Sequence, residues 1–275
     1  MRATESAFVD NARHGRLRKL APEVYVATSD MYMTNTIVVA ANDRCLLIDA
    51  ALLPGELKAL ENDLAKLHLQ VEAAVSTHPH WDHLLWSSGL GNAPRYASPG
   101  AVAAVAKDRK TVVEDALAGA GERWYAAWEV DLVGRLTVIP DDQYVPWSGP
   151  SAIFITHNGH APGHSAVYFP ELDVLAAGDM LSDVEVPGLD WNQSNQFEEY
   201  QAGLDSLAQV RNVELVIPGH GRPGDAQSFK DRIAADRRYL TGLKSGDSDD
   251  ERLHGWPPMQ HQHQANVEGF AKATA

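Results

Sequence analysis

The chain has 275 residues, 44% hydrophobic and 22% charged, which is the balance of a globular protein long enough to bury a large core. Its 23 Lys and Arg against 37 Asp and Glu give a net charge of −14, which repels phosphate backbones and argues against a nucleic-acid partner. No run approaches the ~18 apolar residues of a membrane span, the N-terminal segment lacks an apolar signal core, and a single cysteine rules out an intramolecular disulfide; a cytoplasmic protein is expected.

In chain order, EVYVAT (23–28), TIVVAA (36–41) and CLLIDA (45–50) predict three successive strands, the last two joined by the turn-like NDR. Cys45 falls inside the third run and reads as a buried core thiol. PGELKALENDLAKLH predicts a helix. Pro54 suits a first turn, and Leu57, Leu60, Leu64 and Leu67 recur at three- and four-residue spacing. VEAAVST (71–77) predicts another strand, and 98–130 a mostly helical stretch. Strands return at RLTVIP, AIFITHN, AVYF and DVLAAGD. A helix fits 196–209, with Phe197, Tyr200, Leu204 and Leu207 on one face. VELVIPGH is a strand and AQSFKDRIAADRRYLTGL the last helix. Beyond it, KSGDSDDERLHGWPPMQHQHQ is polar and contains proline, and reads as an extended tail. The expected division is one domain over 1–243, carrying a helical lid or insert at about 98–135, and a linker and tail over 244–275. Strands followed by helices, twice over, predict stacked layers of sheet and helix.

One stretch concentrates chemistry. STHPHWDH places His78, His80, Asp82 and His83 at the end of an apolar run. Three later strand ends add to it: GHAPGHS supplies His160 and His164, LAAGDM supplies Asp179, and LVIPGHG supplies His220. Imidazole nitrogen and carboxylate oxygen are ligands of Zn²⁺. His78 and His80, two apart, share a face in an extended segment, and a turn can carry Asp82 and His83 to a second site. Two metals ~3.5–4 Å apart can share one water and lower its pKa toward neutrality. The charges balance sensibly, since Asp82, Asp179 and a bridging hydroxide offset most of the charge on two Zn²⁺.

STHPHWDH, GHAPGHS, AAGDM and IPGHG, with LLIDA upstream, resemble in kind and order the motif series of the metallo-β-lactamase superfamily, over roughly residues 22–242. The resemblance implies an α/β fold, a four-layer αββα sandwich with its site at one edge. It implies that His78, His80 and His164 bind one metal and that Asp82, His83 and His220 bind the other. Asp179 bridges, Asp49 supports, and His160 lies behind the ligands. Asp82 and Asp179 are the expected catalytic carboxylates. The implied activity, in the glyoxalase II and lactonase-like branch, is attack of a metal-bridging hydroxide on a small thioester, ester or lactone, with two zinc ions. A persulfide dioxygenase using one iron on His78, His164 and Asp179 is the alternative. A β-lactam hydrolase is a further alternative, disfavoured because that branch generally lacks the bridging Asp. A non-catalytic relative is disfavoured because all seven ligand positions are filled. The expected partner is a small molecule, with no nucleic acid and no membrane; oligomeric state is not readable. Trp81 either narrows the pocket or packs beneath the loop. Trp86 and Trp191 read mainly as packing residues. His261 and His263 read as a solvated tail rather than as a third metal site.

Overall fold

A computed structural model describes residues 16–120, 128–245 and 248–274. The chain opens with an antiparallel meander of β1 (Arg18–Ala21), β2 (Val24–Thr28), β3 (Asn35–Ala41) and β4 (Arg44–Ile48). Helix α1 (Pro54–Lys66) then returns the chain so that β5 (Gln70–Val75) lies parallel to β4. Pro54 starts the helix, and Glu56 Oε2 accepts the Leu53 N–H at 3.0 Å. Leu57, Leu60 and Leu64 are buried as their spacing predicts. Leu67 follows the last helical residue and is 39% exposed, so the stripe ends one leucine earlier than expected. Strands β6 (Arg95–Ala97) and β7 (Thr137–Val138) complete a seven-stranded sheet in sequential order.

The second sheet holds β8 (Ile153–Thr156), β9 (Ser165–Phe169), β10 (Val174–Gly178), β11 (Leu215–Pro218) and β12 (Gly224–Asp225), in the order β12-β11-β10-β9-β8. Its one parallel pair, β10 with β11, is connected through α4 (Gln196–Ala208); α5 (Ala226–Ser245) follows β12.

Strand alternation sorts the core into three layers of packing. In β4, Leu46 and Ile48 point between the sheets, against Val167, Phe169, Val174 and Ile217. Cys45 and Leu47 point the other way, against Leu57, Leu60 and Leu64 of α1. In β10, Val174 and Ala176 face the other sheet, while Leu175 and Ala177 face Tyr200, Leu204 and Ile233 of α4 and α5. Two sheets back to back with helices on both outer faces make the expected αββα sandwich.

Residues 99–120 are helical as predicted, in α2 (Pro99–Lys107) and α3 (Arg109–Ala120), and a single 3₁₀ turn spans Val130–Leu132. The part of the expected insert over 121–127 lies outside the described residues. The tail departs from expectation. It forms α6 (Arg252–Gly255) and α7 (Pro258–Thr274) rather than an extended segment. Only Met259, Asn266 and Gly269 of α7 are buried, and two of these three are not apolar side chains, so the helix carries no stripe that hydropathy would reveal. Asn266 anchors it. Its Nδ2 donates to Pro187 O at 2.7 Å and Tyr239 Oη at 2.9 Å, and its Oδ1 accepts from Trp191 Nε1 at 3.2 Å.

Candidate metal centre

The C-terminal ends of β4, β5, β8, β10 and β11 run out at one edge of the sandwich and deliver Asp49, His78, His160, Asp179 and His220. The 3₁₀ turn Trp81–His83 adds Asp82 and His83. Two donor groups result: His78, His80, His160 and Asp179 form one, and Asp82, His83 and His220 form the other, the donor atoms within each lying within 4.8 Å of one another. Asp179 stands between them. Its Oδ2 is 3.3 Å from His78 Nε2 and 3.1 Å from His220 Nε2, and its Oδ1 is 3.3 Å from His83 Nε2.

His78, His83, His160 and His220 are each aimed by a hydrogen bond on the nitrogen that faces away from the cluster. His83 Nδ1 donates to Asp49 Oδ2 at 2.8 Å, His220 Nδ1 to the Tyr32 carbonyl at 2.8 Å, and His160 Nδ1 to the Gly188 carbonyl at 3.0 Å. Thr77 Oγ1 donates to Asp49 Oδ2 at 2.8 Å and is thereby free to accept from His78 Nδ1 at 3.0 Å. These partners place the proton on Nδ1 and leave the Nε2 lone pairs of His78, His83, His160 and His220 facing inward. The lone pairs face one another at close range, as in His83 Nε2 to His220 Nε2 at 3.2 Å and His160 Nε2 to His80 Nδ1 at 3.1 Å. Asp179 Oδ1 is buried with no hydrogen-bond partner. Acceptors crowded in this way are reconciled by cations. Ligands ~2.0–2.1 Å from a tetrahedral zinc lie about 3.3 Å apart, which is the spacing of these atoms.

His160 and His164 exchange the places expected of them. His160 Nε2 faces the cluster, 3.6 Å from Asp179 Oδ2. His164 Nε2 instead accepts the Asp179 backbone N–H at 2.9 Å, and its Nδ1 lies 3.3 Å from His157 Nε2. A lone pair that accepts an amide is not free for a metal. His164 heads β9 and points back under Gly178, whereas His160 lies in the turn between β8 and β9, above the sheet edge. Gly178 has a φ of +57°, and a Cβ there would collide with His164 Nε2; a Cβ on Gly219 would collide with Asp179 Oδ1. Both glycines let the strand ends pass directly beneath the site.

Burial and charge act against each other across the cluster. Burial disfavours charge on Asp179, but His220, His83 and His78 outweigh it and hold the carboxyl well below its ordinary range. Burial opposes protonation of His83 and His220 too, yet the surrounding carboxylates, Asp179 foremost, raise both well above the ordinary histidine range. His78 is lowered well below that range and His160 to about 4, chiefly by burial. The edge is thus built to concentrate positive charge around Asp179.

Several participants carried no sequence signal. The Tyr32 carbonyl and the Gly188 carbonyl are backbone groups, brought into place by turns. Tyr32 and Met33 both have left-handed backbone, with φ of 58° and 53°. Asn35 Nδ2 fixes the His220 loop by donating to Pro218 O at 2.9 Å and Gly221 O at 2.8 Å. Trp81 lines the cleft above the cluster, its ring edge-on to Tyr32 at 6.3 Å. Trp86 is buried and donates to Gly91 O, and Trp191 packs against α7, so both are packing residues. His261 and His263 stay away from the cluster; His263 pairs with Tyr239 at 3.0 Å.

Comparison with known proteins agrees with this geometry. The profile of the Metallo-beta-lactamase superfamily matches residues 30–220. A probable metallo-hydrolase, YqgX of Bacillus subtilis (strain 168), is 23% identical over 205 residues, 72% of this chain and 90% of that protein. A metallo-beta-lactamase type 2 of Bacillus sp. (strain 170) is 30% identical over 73 residues, 26% of this chain and only 28% of that protein. Among solved structures, a beta-lactamase domain protein from Burkholderia ambifaria superposes with a TM-score of 0.67 at 19% identity, covering 95% of this chain and 88% of the other. Motif order, sandwich, converging donors and a profile match over most of its length agree, and the chain belongs to the metallo-beta-lactamase superfamily.

Proposed function

We propose that the protein is a dinuclear metal-dependent hydrolase acting on a small acyl compound, a thioester, ester or lactone, with zinc as the metal. The observation that carries this reading is the position of Asp179, whose Oδ1 faces His83 while its Oδ2 faces His78, His160 and His220. In this reading His78, His80 and His160 would hold one ion and Asp82, His83 and His220 the other, with Asp179 standing between the two donor groups. When bound, the two ions supply a water of lowered pKa and a Lewis acid for the carbonyl oxygen.

The residues supply the rest. Asp49 and Thr77 fix the proton of His83 and His78 on Nδ1 and so present Nε2 inward. Tyr32 does the same for His220 through its carbonyl. No serine or cysteine nucleophile is needed. Cys45 is buried in β4, and burial pushes its thiol up to about 12, which leaves no thiolate for a covalent route.

Elemental analysis of the purified chain, paired with thioester, ester, lactone and β-lactam substrates, tests the reading. Close to two zinc per chain and hydrolysis of an acyl substrate are expected. One iron per chain, with oxygen consumed on a persulfide and no hydrolysis, would overturn it.

A further inference from the structure

The donor cluster floors a cleft of about 340 Å³. One wall is aromatic and is assembled from distant parts of the chain. Tyr32 comes from the turn before β3, Trp81 from the turn after β5, and Trp256 from the link between α6 and α7. The Tyr32 ring lies 6.3 Å from Trp81, near perpendicular, and 5.9 Å from Trp256, tilted by 47°. The three rings form one continuous surface, and each is only partly buried. Two carboxylates outside the donor cluster complete the cleft: Asp115 on α3 and Glu185 on the segment after Asp179. Glu185 Oε1 lies 4.0 Å from His220 Nδ1, with its side chain still 20% exposed. Among the described residues that line the cleft there is no lysine and no arginine.

This lining discriminates by charge. Away from the donor cluster, an anionic arm on the substrate would meet Asp115 and Glu185 and no lysine or arginine, whereas an ammonium group would meet carboxylates and the negative faces of aromatic rings. We infer that the acyl substrate carries a cationic group, a quaternary or primary ammonium, held against Tyr32, Trp81 and Trp256 and flanked by Asp115 and Glu185. This inference rests on the acyl-hydrolase reading for the reacting end and on the cleft alone for the cationic end. It separates this site from one built for substrates with carboxylate or sulfonate arms.

The test uses the metal-loaded full chain and three thioesters with one acyl group and different thiol arms: a trimethylammonium arm, its uncharged dimethylbutyl isostere, and a sulfonate arm. The cationic thioester is expected to exceed the isostere in kcat/KM by about tenfold, with the sulfonate slowest. Added salt and Asp115→Asn should each narrow the cation-to-neutral ratio. An isostere or sulfonate that matches or outruns the cation overturns the inference. A second readout does not depend on turnover. Choline should quench the tryptophan fluorescence saturably, more weakly in Trp256→Ala, while propionate should not. Choline without saturable quenching overturns the cationic site. Saturable choline binding with no hydrolysis of these thioesters, nor of the matching oxygen esters and a lactone, would instead uphold the cationic site and overturn the acyl-hydrolase reading.

Discussion

Asp49 Oδ2 receives the Nδ1 proton of His83 at 2.8 Å, while its Oδ1 accepts the Thr77 N–H at 2.9 Å. One carboxylate at the end of β4 thus orients a ring on the neighbouring turn and closes the backbone that leads to His78. Its own backbone is left-handed, with a φ of 49°, which turns the side chain back over the sheet edge. Asp49→Ala should lower metal affinity by about 10–100-fold, the usual loss when a supporting partner of a ligating histidine is removed. Competition with a chromophoric chelator measures it. Unchanged affinity would mean that His83 does not depend on this carboxylate.

His160→Ala and His164→Ala should fail in different ways. Loss of His160 should cut metal content while the metal-free protein melts as before. Loss of His164 strands the Asp179 amide in the interior, at a cost of about 1–3 kcal/mol. The metal-free His164→Ala protein should therefore melt lower. If His164→Ala lost metal without loss of metal-free stability, the assignment of the inward-facing ring would be reversed.

Asp179→Asn keeps the shape of the side chain and removes the charge shared by both donor groups. Turnover should fall by more than about a hundredfold, beyond the loss expected for a supporting residue, and metal content should fall with it. Rates near wild type with both ions retained would refute the shared carboxylate.

Cys45 gives a pH prediction. Burial raises its pKa from 9.0 to about 12. The folded thiol keeps its proton where the unfolded thiol loses it, so its stabilising contribution is complete below pH 9.0 and is lost as pH rises toward about 12. The slope in that window is about 1.4 kcal/mol per pH unit. Denaturant midpoints measured across this range should fall less steeply in Cys45→Ala than in wild type. At pH 8 a thiol reagent should react only after unfolding; prompt labelling of the folded chain would contradict the burial.

Asn266→Ala removes three hydrogen bonds that tie α7 to Pro187, Tyr239 and Trp191. Stranded partners cost about 1–3 kcal/mol each. Amide exchange in α7 should speed up and KM should rise, because Pro258, Met259 and Gln262 line the cleft. Metal content should not change. Loss of metal would show that α7 reaches the ions.

Much of this was legible in the sequence because it rests on strong local signals. β2 to β5, β9 and β10 are dense apolar runs, and α1, α4 and α5 carry clear periodicity. His160, His164, Asp179 and His220 sit beside glycines near strand ends, and His78 to His83 crowd one short motif after a strand, so their convergence was readable before their contacts. Which histidine of GHAPGHS faces inward was not readable. It depends on a turn that lifts His160 above the sheet edge and on the Asp179 amide that occupies His164. β6, β7 and β12 are only two or three residues long and depend on neighbours for their pairing. Helix α7 escaped notice because its buried face is built on an asparagine and a glycine rather than on leucines. Gln262, between two histidines that stay clear of the site, is the residue there that reaches the cleft.

The donors are shared out between the two sheets. His78, His80, Asp82 and His83 belong to the first, and His160, Asp179 and His220 to the second. The chain crosses from one to the other in a hairpin-like loop, where Val145 N–H donates to Ala152 O and Phe154 N–H to Gln143 O, both at 2.9 Å. A cut at the Ser148–Gly149 bond would therefore yield two fragments that each hold part of the ligand set and one face of the intersheet core. Neither fragment has the donors for a shared pair of ions, and their reassociation restores both the core and the cluster. Metal uptake would then report fragment complementation, which makes the ions a meter of how well two halves of one sandwich recognise each other.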